Sequence, residues 1–163
     1  MTNFTRIYER YTRNLRDSIN MIDHFIHLHL EDGLTVYRDG GNGWTVLEVL
    51  CHLRDYDRIF LSRARQILSE DQPVMVSYDH EALVIENRYS EQSVEAVLHD
   101  LRTSRYEMAS FFEGLTEEAQ WHRFGTHPQV GHWSIYNQLL QVNAHDIDHM
   151  EQMTRILLEK RTA

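Results

Sequence analysis

From Asn3 to about His29, the residues Phe4, Ile7, Tyr8, Tyr11, Leu15, Ile19, Ile22, Phe25 and Ile26 recur at every third or fourth position. Only a helix brings that spacing onto one face. The chain holds just two prolines and seven glycines, too few breakers for many short strands. Thr45-Val-Leu-Glu48 opens a second helix with a capping box, in which a hydroxyl and a carboxylate satisfy orphan N–H groups reciprocally; it runs to about Ser69, short of Pro73. A short helical piece is expected over His80–Tyr89. A third long helix is expected from a Ser93 N-cap to near Gly114, whose glycine suits the left-handed position after the last turn. TEEAQW, 116–121, reads as one or two further turns, and Ser134 caps a last long helix to about Lys160. EDGLTVYRDGGNG, 31–43, and HRFGTHPQVGHW, 122–133, read as loops. Four long helices with several connections of more than ten residues predict an all-α four-helix bundle with long crossover connections. With 163 residues and no repeat or linker, one domain over 1–163 is expected.

Charge narrows the function. The net charge of −9 argues against nucleic acid and against an anionic membrane surface, since both are recognised by clustered Lys and Arg. Arg58, Arg63 and Arg65 do cluster on one helix, where pairing with acids one turn away accounts for them. Cys51 is the sole cysteine, so no intramolecular disulfide forms. No stretch resembles a signal peptide or reaches the roughly 18 to 20 apolar residues of a membrane span, and a cytoplasmic location is expected.

The histidines carry the chemistry. On the last helix Ile135, Leu139, Val142, Ile147, Met150, Met153 and Leu157 form a broad apolar arc, with His145 and His149 at its border beside Gln138, Gln141 and Gln152. One helical turn apart, the two imidazoles reach one ion, or else they belong to a solvated polar stripe. Asp146 falls near the centre of the arc, where an ionised carboxylate needs a partner: a Tyr or Trp, or a ligand histidine that it orients. On the second helix His52 lies inside the edge of an arc made by Val46, Val49, Leu50, Leu53, Tyr56, Phe60, Ala64 and Ile67, where it is either a satisfied core histidine or a third ligand. Three imidazoles from two helices would leave open positions on a divalent ion, as catalytic sites do; zinc, nickel, copper and iron all suit them. Glu48 sits one turn before His52, but the capping box already accounts for it. Asp57 faces inward, Asp55 outward, and Cys51 points away from His52. His24, His27 and His29 read as a solvated cluster, and His127 and His132 as candidates for a pocket mouth.

WTVLEVLCHLRDYDRIF (44–60), GTHPQVGHWSI (125–135) and AHDIDHMEQM (144–153) together resemble the DinB-like (YfiT-like) superfamily of metalloenzymes, over nearly the whole chain. The resemblance implies an up-down-down-up bundle, commonly a homodimer, with zinc or nickel on His52, His145 and His149. Relatives include thiol S-transferases that use bacillithiol or mycothiol, and metal-dependent hydrolases. Many relatives read H-D-x-H-H where this chain has Asp148 in the fourth place, which alters the charge beside the site.

Two function classes follow. One is a divalent-metal-dependent enzyme, a thiol S-transferase or hydrolase on a small molecule, in which a thiol cosubstrate or a water takes the open position and loses its proton. For a sugar-linked anionic thiol, His127, Arg123 and Arg38 are the loop residues expected to contribute donors. The other is a non-catalytic metal-binding or structural dimeric bundle, a sensor or interaction module. Asp146, Asp57, Asp148, Glu48 and His127 are the residues expected to support or line the site.

Overall fold

The computed structural model describes residues 3–160, with side chains from 6 to 158, so the side chain of Phe4 lies outside the described ones. Its elements are α1 (Asn3–Leu28), α2 (Val46–Ser69), α3 (His80–Glu86), α4 (Val94–Glu113), α5 (Glu118–His122), β1 (Phe124–His127), β2 (Gly131–Ser134) and α6 (Ile135–Lys160). The helix starts follow the local chemistry. Thr45 and Glu48 form the expected capping box, the Ser93 hydroxyl accepts from Ala96 N–H, and Ser134 Oγ accepts from Asn137 N–H at the head of α6. Asp79 caps α3 in the same way.

The packed pairs of long helices are α2–α4, α1–α4, α2–α6 and α1–α6. Arg58–Asp100 and Arg65–Glu107 climb α2 and α4 in one sense, so those helices run parallel. Arg16–Glu113 and Arg102–Asp23 run in opposite senses, so α1 opposes α4. His52 meets His149 while Phe60 meets His145, so α2 opposes α6. The result is the up-down-down-up four-helix bundle.

Two apolar clusters fill it. Ile19, Ile26, Val49, Leu53, Leu101 and Met153 belong to one; Leu15, Phe60, Met108, Phe112, Trp121 and Leu139 belong to the other. Along every long helix the two clusters are separated by a polar position: Ser18, Asp57, Arg105 and Asp146. Arg105 is fully buried there, donating from Nε and Nη2 to Asp57 at 2.9 and 3.0 Å and from Nη2 to Asp146 Oδ1 at 2.7 Å. Its Nη1 meets Asp146 Oδ2 and also donates to Ser18 Oγ at 2.7 Å. Two carboxylates around one guanidinium hold Arg105 charged despite its burial.

Several expectations are corrected. Residues 122–133 do not form a plain loop: β1 and β2 pair antiparallel, from Phe124 opposite Ser134 to His127 opposite Gly131. The strands are four residues long and do not alternate apolar with polar, so they carry no periodic signal. The hairpin is anchored to the segment after α2 by Thr126 N–H to Pro73 O, 2.8 Å, and Met75 N–H to Thr126 O, 2.9 Å. Gly125 permits that approach, since a Cβ there would stand 2.6 Å from Pro73 O. Within 31–43 the chain makes 3₁₀ turns at Leu30–Asp32 and Asp39–Gly41. Gly114 ends α4 right-handed, with φ −75°, its N–H bonded to Ser110 and Phe111 carbonyls, so no left-handed cap forms. Asp55 is buried rather than outward, because residues 87–92 fold over its face of α2; it accepts from Tyr89 Oη at 2.7 Å, Asn87 at 2.9 Å and Arg54 at 2.8 Å. Ile147 is 71% exposed at the rim of the α1–α6 groove, so the buried arc of α6 is narrower than its sequence suggests.

Candidate metal centre

α2 and α6 face each other across a seam, and His52, His145 and His149 meet in it. His52 Nε2 lies 3.0 Å from His145 Nε2, and His149 Nε2 lies 3.1 Å from the same atom. One ligand atom from each residue falls within 4.8 Å of the others. Three nitrogens held about 2.1 Å from one ion stand roughly 3.0 to 3.4 Å apart, so the donor set fits a single divalent ion. The aromatic rings of Tyr56 and Phe60 flank His145, and Trp44 and Tyr56 flank His52. Packed this way the imidazoles stay neutral, the form that ligates metal. Burial, followed by His149 and His80, pushes His52 down to about 3; burial, followed by His149 and His52, pushes His145 down to about 2. His149 is also lowered by burial, against the opposing pull of Gln152, Asp148 and Asp146.

Gln152 fixes the third ring. Its Oε1 lies 2.8 Å from His149 Nδ1 and can only accept, so Nδ1 carries the proton and Nε2 presents its lone pair to the cluster. Gln152 is held in turn by Asp39 at 3.0 Å, and Asp39 by both ends of the Arg155 guanidinium at 2.9 Å each. This anchors the ligand helix to the loop before α2. Sequence reading missed the chain because Asp39 is brought to α6 by the fold alone.

The histidines form the floor of a cleft of about 450 Å³ whose walls include Trp44, Tyr56, His80, Glu81 and Gln152. His80 and Glu81, at the start of α3, are further residues that sequence reading passed over; only the α2–α4 connection puts them there. Glu81 accepts from Trp44 Nε1 at 3.2 Å, and the His80 ring sits 5.9 Å from Trp44 and 6.4 Å from His52.

The other expected residues are placed as follows. Glu48 is buried and used by its cap, accepting from Thr45 N–H at 2.7 Å and from Arg38 at 3.1 Å. Asp146 bonds neither to Tyr or Trp nor to a ligand histidine: Arg105 and Ser18 take both its oxygens. Asp57 serves the same arginine. Asp148 is exposed, and its charge favours protonation of His149. Arg123 is remote from the cleft and donates to the Ile67 and Glu70 carbonyls at the end of α2, while Arg38 is held by Gly43 O and Glu48. His127 lines a neighbouring cavity that shares Tyr56 and His145 with the cleft; His132 is exposed and stacks on Phe124. His24 and His27 are exposed on α1, and His29 pairs with Asp32 at 2.6 Å. Cys51 is buried against Tyr89 O, away from the cluster.

Among curated proteins, none matches the sequence. In fold the chain is similar to YfiT from Bacillus subtilis, described as a probable metal-dependent hydrolase with an unusual four-helix bundle topology. The two share 22% identity at a TM-score of 0.84, covering 96% of this chain and 87% of YfiT. The sequence profile of the DinB superfamily matches residues 8–153. The chain belongs to the DinB superfamily.

Proposed function

We propose that His52, His145 and His149 hold one divalent metal ion, and that the protein is a metal-dependent hydrolase acting on a small molecule. The observation that carries the reading is the convergence of three neutral ring nitrogens on the floor of an open cleft. When bound, a divalent ion supplies a Lewis acid with positions left open to reactants, as three-ligand sites do. The description of YfiT as a probable metal-dependent hydrolase agrees with this. Zinc or nickel is the ion in this reading, both being suited to neutral imidazole ligands.

The cleft's own residues offer a carrier for the proton that hydrolysis has to move. Asp39 is committed to Arg155, which holds its carboxyl below the usual range. Glu81 carries the Trp44 N–H, whereas His80 has ring contacts and only a 3.9 Å approach to Glu81. In this reading His80, exposed at the cleft wall, carries a proton between the cleft and solvent, a task that hydrolysis requires. Trp44 and Tyr56 exclude water from one side of the histidines and give a substrate an apolar wall.

The test is elemental analysis of wild type and His52→Ala, stripped of metal and reloaded in parallel with zinc and nickel, followed by a hydrolase and thiol-transfer screen. About one ion per chain in wild type, lost in the variant, is expected for a three-ligand site. His80→Ala should keep the ion and lose turnover. Equal, negligible metal in wild type and His52→Ala rejects the site. Turnover that needs an added low-molecular-weight thiol replaces hydrolase with S-transferase, and a bound ion without turnover leaves a metal-binding module.

A further inference from the structure

Tyr56 and His145 border a second cavity, of about 230 Å³, shared with Arg63, Tyr78, His127 and Trp133. Arg63 follows Tyr56 by two turns of α2, on the same face. Its Nη2 donates to Val76 O at 2.8 Å, and the guanidinium lies 5.6 Å from the centre of the Tyr78 ring. Its Nε is buried and has no hydrogen-bond partner.

Among the described residues, no carboxylate pairs with Arg63. Arg58 meets Asp55 one turn away, as the sequence suggested, and also Asp100 on α4, whereas Arg65 meets Glu107 on α4 rather than an acid of its own helix. In a chain of net charge −9, a half-buried cation without a counter-ion stands out. The Val76 carbonyl and the Tyr78 ring offset part of its desolvation, and an anion would offset the rest. Burial lowers the Arg63 guanidinium, as the lack of an acidic neighbour requires.

His127 adds a donor but no charge. Gln129 N–H donates to its Nδ1 at 3.2 Å, which leaves the ring proton on Nε2, and burial together with Arg63 keeps the imidazole neutral. One fixed positive charge suits a monoanion better than a phosphate dianion. The flat fork of a guanidinium suits a carboxylate. Trp133 and Tyr78 provide aromatic walls for the rest of a small molecule.

We infer that this cavity is an anion subsite, in which Arg63 receives the carboxylate of a small organic acid whose other end reaches His145 and the histidine cleft. The inference rests on the proposed hydrolase for what the subsite serves; binding itself can be read without metal.

The experiment is calorimetric titration of metal-free protein with benzoate, and with benzamide as the neutral isostere. Wild type and Arg65→Gln, which removes an equal charge from outside the cavity, should bind benzoate alike. Arg63→Gln should weaken it by about tenfold or more, as loss of a charge-assisted bidentate contact does, and Arg63→Lys should recover part of that. Gln141→Glu leaves Arg63 in place, adds a carboxylate to the cavity wall, and should also weaken benzoate. Benzamide should not bind. No saturable benzoate binding by wild type overturns the subsite, as does unchanged binding in both Arg63→Gln and Gln141→Glu, equal affinity for benzamide, or equal weakening in Arg65→Gln. Arg63-dependent binding in a protein that takes up no metal would keep the subsite and reject the proposed hydrolase.

Discussion

Gln152 decides which nitrogen of His149 is free, and nothing else at the site is so economical. An imidazole has two nitrogens, and only the one without a proton can ligate. Because Gln152 Oε1 takes the Nδ1 proton, the lone pair falls on Nε2, facing His145. Gln152→Leu removes that acceptor without touching a ligand. Metal affinity, measured by competition with a coloured chelator, is expected to fall about 10- to 100-fold. Unchanged affinity in Gln152→Leu would mean that Trp44 and the α2 wall orient the ring instead. At this scale the sequence was legible where helical phase decided the matter: the one-turn spacing of His145 and His149 and the inward edge of His52 already put three imidazoles on facing stripes. It was not legible for Asp146. An acid in an apolar arc announces a partner but does not name it, and the partner is an arginine on a helix 41 residues away in sequence.

Arg105 belongs to the scale of elements, because it touches all the long helices at once: Asp57 on α2, Asp146 on α6, Ser18 on α1, from its own place on α4. A signal for it existed. Val97, Leu101, Arg105, Met108 and Phe112 share one helical stripe, and an arginine inside such a stripe is either a defect or a buried ion pair. Arg105→Met leaves two buried carboxylates without a counter-ion, so urea unfolding should show a loss of about 3 to 5 kcal/mol, a large share of a domain's stability. Replacing Asp57, Arg105 and Asp146 together by Leu, Met and Leu should recover most of that loss, since a matched apolar layer avoids the desolvation of three charges. A triple variant as unstable as the single one would show that the helices need this layer for register rather than for charge balance. The long helices were legible from periodicity and from the caps at Thr45, Ser93 and Ser134. The hairpin was not, because strands of four residues in which half the positions are Gly or His have no period to detect, and their pairing depends on Pro73 and Gly125 meeting across 52 residues.

For the whole molecule, the three histidines weaken the bundle in acid, and a bound ion should strengthen it. His52 and His145 are pushed to about 3 and about 2, and His149 is also lowered, whereas in the unfolded chain each returns to about 6.5. With folded values depressed, the unfolded state binds more protons below about pH 6.5. The contribution of these histidines is therefore fully present above that pH and is lost as pH falls toward 3. Each adds at most about 1.4 kcal/mol per pH unit to the slope of stability. Urea midpoints of metal-free protein between pH 7 and pH 4 should fall accordingly, and fall less steeply in His145→Phe, which removes one buried titrating group. An ion on the cluster acts in the opposite direction, because it ties α2 to α6 and binds the folded chain alone: at a thousandfold excess over Kd it adds about 4 kcal/mol. Since protons take these nitrogens chiefly in the unfolded chain and the ion takes them only in the folded one, metal should raise the melting temperature at pH 7 and also shift the acid transition to lower pH. A melting temperature raised by metal with an unmoved acid transition would separate the ion from these imidazoles and place it elsewhere on the molecule.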